Sequence, residues 1–495
     1  MMTQTTRSLA DLGLSALGGR DARITGLSVD SRQTRRGHLF AALPGSRAHG
    51  ADYIAAALRM GAAAILTDRD GARIAAAEIE GRDVALVVAE APRQALAFAA
   101  ALWFGRQPST MVAVTGTNGK TSVATFTRQI WQALGESAVN LGTTGVEGDW
   151  HARLLHTTPE PVSLHRALSE AVDAGITHAA MEASSHGLDQ HRLDGVTLAA
   201  AGFSNLSQDH LDYHPDFDAY FAAKSGLFAR VLSEDGTAVV NIDDARGPQI
   251  RDIAESRGQD ILTVGRHADA ALRILGQRFD ATGQDLRFGW NGAARQVRLR
   301  LIGGFQAENV LLAAGLAIAS GSDPQAVFDV LPTLETVRGR MQHAATRENG
   351  AAVFVDYAHT PAALETALSA LRPHVMGRLV VAYGAGGDRD RAKRPLMGAA
   401  ARAQADLRIV TDDNPRSEDP AAIRAAILAA DPDATEVADR AEAILRGVDA
   451  LEPGDALLIA GKGHETGQIV GDTVYPFDDA EQASVAVAAL DGRVA

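Results

Sequence analysis

The chain has 495 residues, with 47 lysines and arginines against 61 aspartates and glutamates, a formal charge of −14. Such a length suggests roughly three domains at ~150 residues each. The acidic balance disfavours non-specific binding to nucleic acid or membrane surfaces but leaves room for local anion pockets. There is no cysteine, which excludes disulfides, thiolate zinc sites, iron–sulfur clusters and cysteine nucleophiles, and the 46% hydrophobic composition is ordinary for a globular chain.

The opening MMTQTTRSLADLG lacks the apolar stretch of a secretory signal. The longest apolar run, over 310–319, is interrupted by Gly315 and falls far short of the ~20 residues a membrane span needs. The expectation is a soluble protein of the cytoplasm, without membrane insertion and without a nucleic-acid partner. Up to about Arg106, short β runs (ARITGLSV, AAAILT, VALVVA) mix with alanine-rich helical runs at 55–58 and 91–104, and Gly105-Arg106-Gln107-Pro108-Ser109 reads as a linker. A second stretch opens with a buried-strand signal over 111–114, a glycine-rich turn and a helical run over 122–134. Residues 178–181 read as another buried strand that delivers Glu182, Ser184, Ser185 and His186 at its end. The segment 272–301 alternates like antiparallel ribbon, and 309–319 reads as a helix.

From about Gln342, four apolar runs recur at 352–355, 379–383, 407–410 and 456–459, most followed by helix-compatible sequence. Strands alternating with helices imply a parallel, doubly wound sheet whose ligands sit outside the carboxyl ends of the strands. Those ends read Asp356-Tyr357-Ala358-His359, Gly384-Ala385-Gly386-Gly387-Asp388-Arg389, Asp412-Asp413-Asn414-Pro415-Arg416 and Gly461-Lys462-Gly463-His464-Glu465, all rich in groups that bind ions.

Between the strand at 111–114 and the following helix lies Thr115-Gly116-Thr117-Asn118-Gly119-Lys120-Thr121-Ser122. Glycines let backbone N–H groups curl toward a phosphate, and the helix start adds partial positive charge. Lys120 would contact the terminal phosphates and the Thr121 hydroxyl would ligate magnesium. Val114 stands where the common G-x-x-x-x-G-K-[ST] pattern has its first glycine, so this is a variant. The plain alternative is a glycine-rich turn with a solvated lysine. Glu182 is a candidate oxygen ligand for the magnesium, or else an ordinary partly exposed carboxylate.

GTNGKT, MEASSHGLDQHR, SNLSQDHLDYH, YFAAK, RGRMQ, DYAHTP, GGDRDRAKRPLMG, TDDNPR and AGKGHE stand in one order along the chain, preceded by LSVDSRQTRRGHLFAALPGSRAHG. In this the chain resembles the Mur ligases, the ATP-dependent amide-forming enzymes of peptidoglycan synthesis, over nearly its whole length. Within the family it is most similar to members that add meso-2,6-diaminopimelate to UDP-N-acetylmuramoyl-L-alanyl-D-glutamate. The resemblance implies an α/β fold of three domains. Residues 1–106 would form an N-terminal domain for the uridine nucleotide, 107–341 a central P-loop ATPase domain with a parallel sheet, and 342–495 a Rossmann-like doubly wound domain for the amino acid. It implies activation of the D-glutamate γ-carboxylate as an acyl phosphate, then attack by the diaminopimelate amine, with ADP and phosphate as products. The expected setting is cell-wall biogenesis, cell shape and division, and the expected state a monomer.

The resemblance also assigns residues. ATP falls to Gly116, Thr117, Asn118, Gly119, Lys120, Thr121, Ser122, Asn309, Arg340, Asp356 and His359. Magnesium falls to Thr121, Glu182 and His210. At His210 the residue type alone favours a hydrogen-bonded core histidine, since magnesium prefers oxygen. Lys224, otherwise an exposed helical lysine, matches a lysine carried as a carbamate: carbon dioxide added to the neutral amine turns a cation into a carboxylate-like anion able to neutralise a second magnesium. Lys120, Lys224, His210 and Glu182 form the catalytic set. Val29, Ser31, Ser46, Arg47 and Ala48 match contacts to the uridine nucleotide. Thr157, Thr158, Ser184, Gln190 and Arg192 match contacts to the muramoyl dipeptide, and Arg192 stands out by chemistry alone, since a guanidinium grips carboxylates bidentately. Arg389, Asp413, Asn414, Pro415, Arg416, Gly461 and Glu465 match the diaminopimelate pocket. There Arg416 would meet the second carboxylate that lysine lacks, and Glu465 the distal ammonium. Two departures stand against the family pattern: His156 replaces an asparagine before the paired threonines, and Gln306 replaces the asparagine of a Phe-Asn pair. A sibling ligase or a folylpolyglutamate synthase shares GTNGKT but not DNPR with the full N-terminal segment. A non-catalytic nucleotide sensor gives no reason for Glu182, His210, Lys224 and Arg340 together.

Overall fold

The computed structural model describes residues 6–45, 48–154, 156–207 and 213–492. They fall into two compact units, one of Met1–Arg273 with Leu311–Val327 and one of Ile274–Val310 with Phe328–Ala495. The first unit opens on a parallel sheet, β1 (Gly26–Ser28), β2 (His38–Ala41), β3 (Ala64–Thr67) and β4 (Ala85–Val88), paired in that order. The period-two alternation of strands sends Leu39, Ala64 and Ala85 to one core with Leu96, and Phe40 and Ile65 to another with Ile54. Helix α1 (Pro92–Phe104) begins on a proline, whose missing N–H costs nothing there, and ends on left-handed Gly105. The expected linker is tied down within this unit. Gln107 exchanges two hydrogen bonds with the Thr197 backbone, Arg106 pairs with Asp173, and the Ser109 hydroxyl donates to the Thr177 carbonyl.

A second sheet follows in the same unit: β5 (Thr110–Thr115), α2 (Lys120–Ala133), β6 (Ala138–Gly142), β7 (Gly145–Gly148), α3 (Pro161–Asp173), β8 (His178–Glu182), α4 (Ser185–Asp189), β9 (Ala200–Phe203), α5 (Phe217–Gly226), β10 (Thr237–Asn241) and β11 (Asp260–Gly265). Its strand order here is β11-β10-β9-β5-β8-β6-β7, parallel except for the last pair. Strand β5 is buried along 111–115, as a parallel strand covered on both faces must be. From β5 the chain first builds β6 and β8 to one side and then β9 to the other. The loop after β5 therefore lies at the sheet's switch point, where open α/β sheets bind ligands.

In the second unit the expected ribbon resolves into strand Leu272–Asp280, β12 (Gly283–Trp290) and β13 (Ala293–Leu299), the last two antiparallel. The expected helix at 309–319 starts earlier, as Gln306–Ala319. The doubly wound sheet is present: β14 (Gln342–Thr346), β15 (Ala352–Asp356), α6 (Pro361–Leu371), β16 (Leu379–Tyr383), α7 (Lys393–Gln404), β17 (Leu407–Val410), α8 (Pro420–Leu428), β18 (Thr435–Glu436), α9 (Arg440–Asp449), β19 (Ala456–Ala460) and α10 (Asp479–Leu490). Strand order is β14-β15-β19-β16-β17-β18, and only β14 runs antiparallel. Apolar side chains fill both faces, Phe354, Val381 and Leu458 on one and Val353, Val380 and Leu457 on the other. Thr360, Asp419, Asp439 and Asp478 cap the helices that follow the strands, each accepting a backbone N–H of the first turn. No helix among the described residues is long and apolar enough to cross a membrane.

One ion pair ties this unit's loops together. Arg440, at the start of α9, and Asp479, at the start of α10, are both buried and joined by two hydrogen bonds of 2.7 Å. The same guanidinium donates to the carbonyls of Asp412, in the loop just after β17, and of Ala460, the last residue of β19. Removing one partner strands a buried charge. Asp479→Ala is expected to cost about 3–5 kcal/mol and to lower the unfolding midpoint of this unit, read by urea titration of the full chain. A loss within ~0.5 kcal/mol, as at an ordinary surface site, would show that the pair carries no such weight.

Candidate active site

The phosphate loop runs from β5 into α2. Gly116 has φ +147°, and a Cβ there would lie 2.0 Å from the Ser204 hydroxyl and 3.0 Å from the Asn205 carbonyl, so only glycine lets the loop press against the end of β9. The loop is held from that side. Asn118 N–H donates to Asn205 Oδ1 (3.0 Å), and the Asn118 carbonyl accepts from Ser204 Oγ (2.6 Å) and Asn205 Nδ2 (3.1 Å). Thr117 bonds through its hydroxyl to Ser207 and to Tyr220 Oη. Gly119, left-handed at φ 86°, opens α2 without a side-chain cap, which leaves that helix start to a ligand. Lys120 Nζ donates to the carbonyls of Gly116 (2.9 Å) and Thr117 (2.8 Å). Thr121 and Ser122 are buried in the first turn.

Lys224, on α5, is buried, and its Nζ donates to the Gly116 carbonyl at 2.7 Å while lying 4.6 Å from the Tyr220 ring centre. The exposed helical lysine is thus corrected: the amine belongs to the loop. Glu182 ends β8, beside β5, and is 2% exposed rather than a surface carboxylate. Its Oε1 accepts the Thr143 N–H at 2.9 Å. Thr121 and Glu182 offer hard oxygen donors of the kind magnesium takes. No cluster of three or more acidic or histidine ligands exists among the described residues. His210 lies outside the described residues, as do Ser46 and Arg47.

The residues matched to the muramoyl dipeptide converge beside Glu182. Thr158 Oγ1 donates to the Glu182 carbonyl (2.9 Å) and accepts the Ser184 N–H (3.0 Å), and Ser184 caps α4. Thr157 bonds Thr143 through its hydroxyl at 3.1 Å. Arg192 donates to the Thr158 carbonyl (2.6 Å) and to Gln190 Oε1 (2.8 Å). Gln190 and Arg192 line a cleft of about 140 Å³ together with Val29, which brings the end of β1 to the same place. Ser31 opens a short turn capped by Asp30, Ala48 is exposed, and so is the departing residue His156.

In the second unit the four strand ends meet as the alternation implied. Asp356 accepts N–H groups of Met341 (2.7 Å) and Ala358 (2.9 Å); burial pushes its carboxyl pKa up, against the opposing pull of Arg340. Arg340 stacks 4.8 Å from the Tyr357 ring centre. His359, its pKa lowered by burial, has Nδ1 at 2.8 Å from the Tyr357 carbonyl, and Lys393 donates to the His359 carbonyl. Asn309 donates to Gln306 Oε1 at 3.1 Å, so the departing glutamine still supplies a working amide.

The loops after β16 and β17 are pressed backbone to backbone. A Cβ on Gly387 would fall 1.9 Å from the Pro415 carbonyl, and Gly387 N–H donates to the Asn414 carbonyl at 2.9 Å. Asp388 and Arg416 both take left-handed φ, 52° and 51°, a conformation disfavoured for residues with a Cβ. Ser417 holds the Asp388 carboxylate from its hydroxyl at 2.7 Å, and Arg416 is bracketed by backbone bonds to Ile469 and Gly471. Asn414 is the junction. Its Oδ1 accepts from Lys462 Nζ (2.8 Å) and Ile469 N–H (2.9 Å), and its Nδ2 donates to Glu465 Oε2 (2.8 Å). Left-handed Gly461 stands against Asp413, where a Cβ would lie 3.3 Å from Oδ2. Arg416 is half-buried and spends Nη1 on the Gly387 carbonyl (2.8 Å), with no carboxylate within 4 Å among the described residues. Its guanidinium is therefore available to an acid. Arg389 stands apart, exposed, with only a 3.5 Å contact to the Asp388 carbonyl.

Several groups here carry no role in the sequence reading. Lys462 is 0% exposed and anchors Asn414, and burial lowers its pKa against Asp413. Buried Arg394 pairs with Glu418, which in turn accepts the Asp388 N–H. Lys462 stands inside the AGKGHE segment, but a one-letter pattern does not distinguish a buried lysine from a solvated one.

Models of the Mur ligase family match three segments: the family's catalytic domain over residues 23–103, the middle domain over 114–317 and the glutamate ligase domain over 339–463. The protein called UDP-N-acetylmuramoyl-L-alanyl-D-glutamate–2,6-diaminopimelate ligase in Bradyrhizobium diazoefficiens is 50% identical over 478 residues, 95% of this chain and 96% of its own. Its namesake in Caulobacter vibrioides is 48% identical over 493 residues, 98% of this chain and all of its own. A solved structure of a ligase of that name superposes with a TM-score of 0.73 at 34% identity, covering 98% of this chain and 99% of the other. The three-domain α/β fold, the phosphate loop and these matches lead to one conclusion: the chain belongs to the Mur ligase family.

Proposed function

We propose that the protein is an ATP-dependent ligase joining meso-2,6-diaminopimelate to the D-glutamate γ-carboxylate of UDP-N-acetylmuramoyl-L-alanyl-D-glutamate, in peptidoglycan precursor synthesis. In this reading the functional domains are 1–106, 107–341 and 342–495, and the enzyme works as a monomer in the cytoplasm. The observation that carries the choice of amino acid is Arg416: a half-buried guanidinium, held in a strained backbone position, with no carboxylate of its own. A substrate ending in an acid beside its distal amine would pair it. Lysine would leave the cation unmatched, which is costly away from bulk water.

A carboxylate is a poor acyl donor, since oxide would have to leave. A γ-carboxylate oxygen attacks the terminal phosphorus of ATP and ADP departs. The amine then attacks the acyl carbon and phosphate departs with the oxygen it received. Charge crowding is the obstacle, so positioning and electrostatic stabilisation do most of the catalysis. The backbone N–H groups at the start of α2 and the Lys120 ammonium face the phosphates. Thr121, Glu182 and His210 would hold magnesium, which supplies charge neutralisation when bound. Lys224 as a carbamate keeps an N–H for the Gly116 carbonyl while presenting an anion to a second cation. Thr157, Thr158, Ser184, Gln190 and Arg192 orient the dipeptide, while Asn414, fixed by Lys462, positions Glu465 for the distal ammonium of diaminopimelate.

With ATP and magnesium, the purified protein should release phosphate only when both the UDP-muramoyl dipeptide and an amino acid are supplied, and meso-diaminopimelate should outperform L-lysine and L-ornithine. Phosphate release that needs no amino-acid acceptor would overturn the ligase reading. Arg416→Ala should raise the KM for diaminopimelate about tenfold or more, the worth of a charge-assisted hydrogen bond, and leave that for ATP nearly unchanged; equal effects on both would remove Arg416 from the pocket. Lys224→Ala should lose most activity and regain part of it with formate or acetate. Activity undiminished by the substitution would take the carbamate out of the mechanism.

A further inference from the structure

The cleft of about 140 Å³ that holds Arg192 is also lined by Arg93, at the second position of α1. A cation in the first turn of a helix opposes the helix dipole, so this position needs another reason. Arg93 is half-buried, and among the described residues its side chain makes one hydrogen bond, 2.5 Å from Nη2 to the Pro44 carbonyl, which leaves most of its five N–H donors unspent there. Arg192 likewise spends its donors on neutral acceptors, the Thr158 carbonyl and Gln190 Oε1. Neither guanidinium has a carboxylate within 4 Å among the described residues. Burial, and for Arg192 the nearby charge of Arg93, both work against the charged form.

Glu160, the one acid lining the cleft, favours charged Arg192 through space, and Asp189 does the same for Arg93, but neither carboxylate lies within 4 Å of either guanidinium. Glu160 is the N-cap of α3, where its two carboxylate oxygens accept the N–H groups of Val162 and Ser163, each at 2.8 Å, and the Ser163 hydroxyl. The remaining walls are apolar at Val29, Leu43, Leu96 and Pro161 and polar at Gln190. Two like charges facing one small, partly dry space, with the local acid committed elsewhere, make a site short of one anion. Guanidinium forks match carboxylate and phosphate oxygens.

We infer that Arg93 is a substrate-binding residue that closes on the same anionic group as Arg192, the two guanidiniums of the cleft together clamping one carboxylate or phosphate of the nucleotide-linked dipeptide. This rests on the ligase reading and adds a binding residue to it. A carboxylate source is the dipeptide's terminal α-carboxylate, which must be held aside if only the γ-carboxylate is to be phosphorylated. A phosphate source is the pyrophosphate.

The test is calorimetric binding of UDP-N-acetylmuramoyl-L-alanyl-D-glutamate to the full-length protein and to Arg93→Gln and Arg93→Lys, alongside KM values for that substrate and for ATP. Glutamine keeps a donor for the Pro44 carbonyl and removes only the charge. Arg93→Gln should bind the dipeptide about tenfold more weakly or worse, Arg93→Lys should recover part of the loss, and the KM for ATP should stay within twofold. The combined loss in Arg93→Gln/Arg192→Gln should fall short of the product of the single losses, because both act on one group. With an analogue carrying an α-carboxamide in place of the α-carboxylate, disappearance of the Arg93→Gln penalty identifies the carboxylate as the clamped group, and its persistence identifies the pyrophosphate. Wild-type-like affinity and KM in Arg93→Gln overturn the inference and leave the ligase reading intact. Absence of dipeptide binding by the wild-type protein overturns both.

Discussion

A parallel strand that runs into a helix leaves the helix's first N–H groups without intrahelical partners, and this chain builds its chemistry on that shortage. At the end of β5 the shortage is kept open. No side chain caps α2, and the loop before it is held against Asn205, which takes the N–H groups of Thr117 and Asn118 and leaves the helix start itself uncapped. In the second unit the same shortage is mostly satisfied by Thr360, Asp419, Asp439 and Asp478. The difference between a helix that caps itself and one that waits for a ligand is a difference of one side chain at one position.

The polar strand ends of the second unit depend on buried charge rather than on open backbone. Lys462, Arg440, Asp479 and Arg394 all lie below 4% exposure, which is destabilising unless each finds a partner. Each does: Arg440 with Asp479, Arg394 with Glu418, Lys462 with Asn414 and the Gly467 carbonyl. The consequence is stiffness where specificity needs it. Asn414 cannot rotate without breaking bonds to Lys462, Ile469 and Glu465 at once, and Arg416 is held left-handed between two backbone bonds. In the proposed ligase, a guanidinium placed there would discriminate among substrates by whether they bring an acid to it.

How much of this was readable from the letters varied with the range of the interaction. The strand–helix alternation after Gln342, the phosphate loop and the four polar strand ends are local patterns, and the structure has them within a few residues. The helix beginning at Gln306 instead of Asn309 is a boundary shift, set by hydrogen bonds of Gln306 and Ala307 to Gly303 and Gly304. What could not be read was burial. Lys224 looks solvated in YFAAK, yet its amine reaches a carbonyl 108 positions away in sequence. Arg93 follows a proline in an alanine-rich helix and carries no motif at all; only the approach of α1 to Arg192 gives it a context.

Charge bookkeeping over the whole chain hides the same point. A protein of net charge −14 has carboxylates to spare, and Arg440, Arg378, Arg408 and Arg347 each lie within hydrogen-bond distance of one. Among the described residues Arg93, Arg192 and Arg416 do not, although all three are half-buried, where an unmatched cation is least comfortable. In a chain so rich in acids the missing partners are not explained by supply. They are explained if each guanidinium is matched by a carboxylate or phosphate that arrives with a substrate, so that the free protein bears a modest electrostatic strain which binding relieves. Discrimination then follows from the same term as affinity, because a substrate without the acid leaves the strain in place.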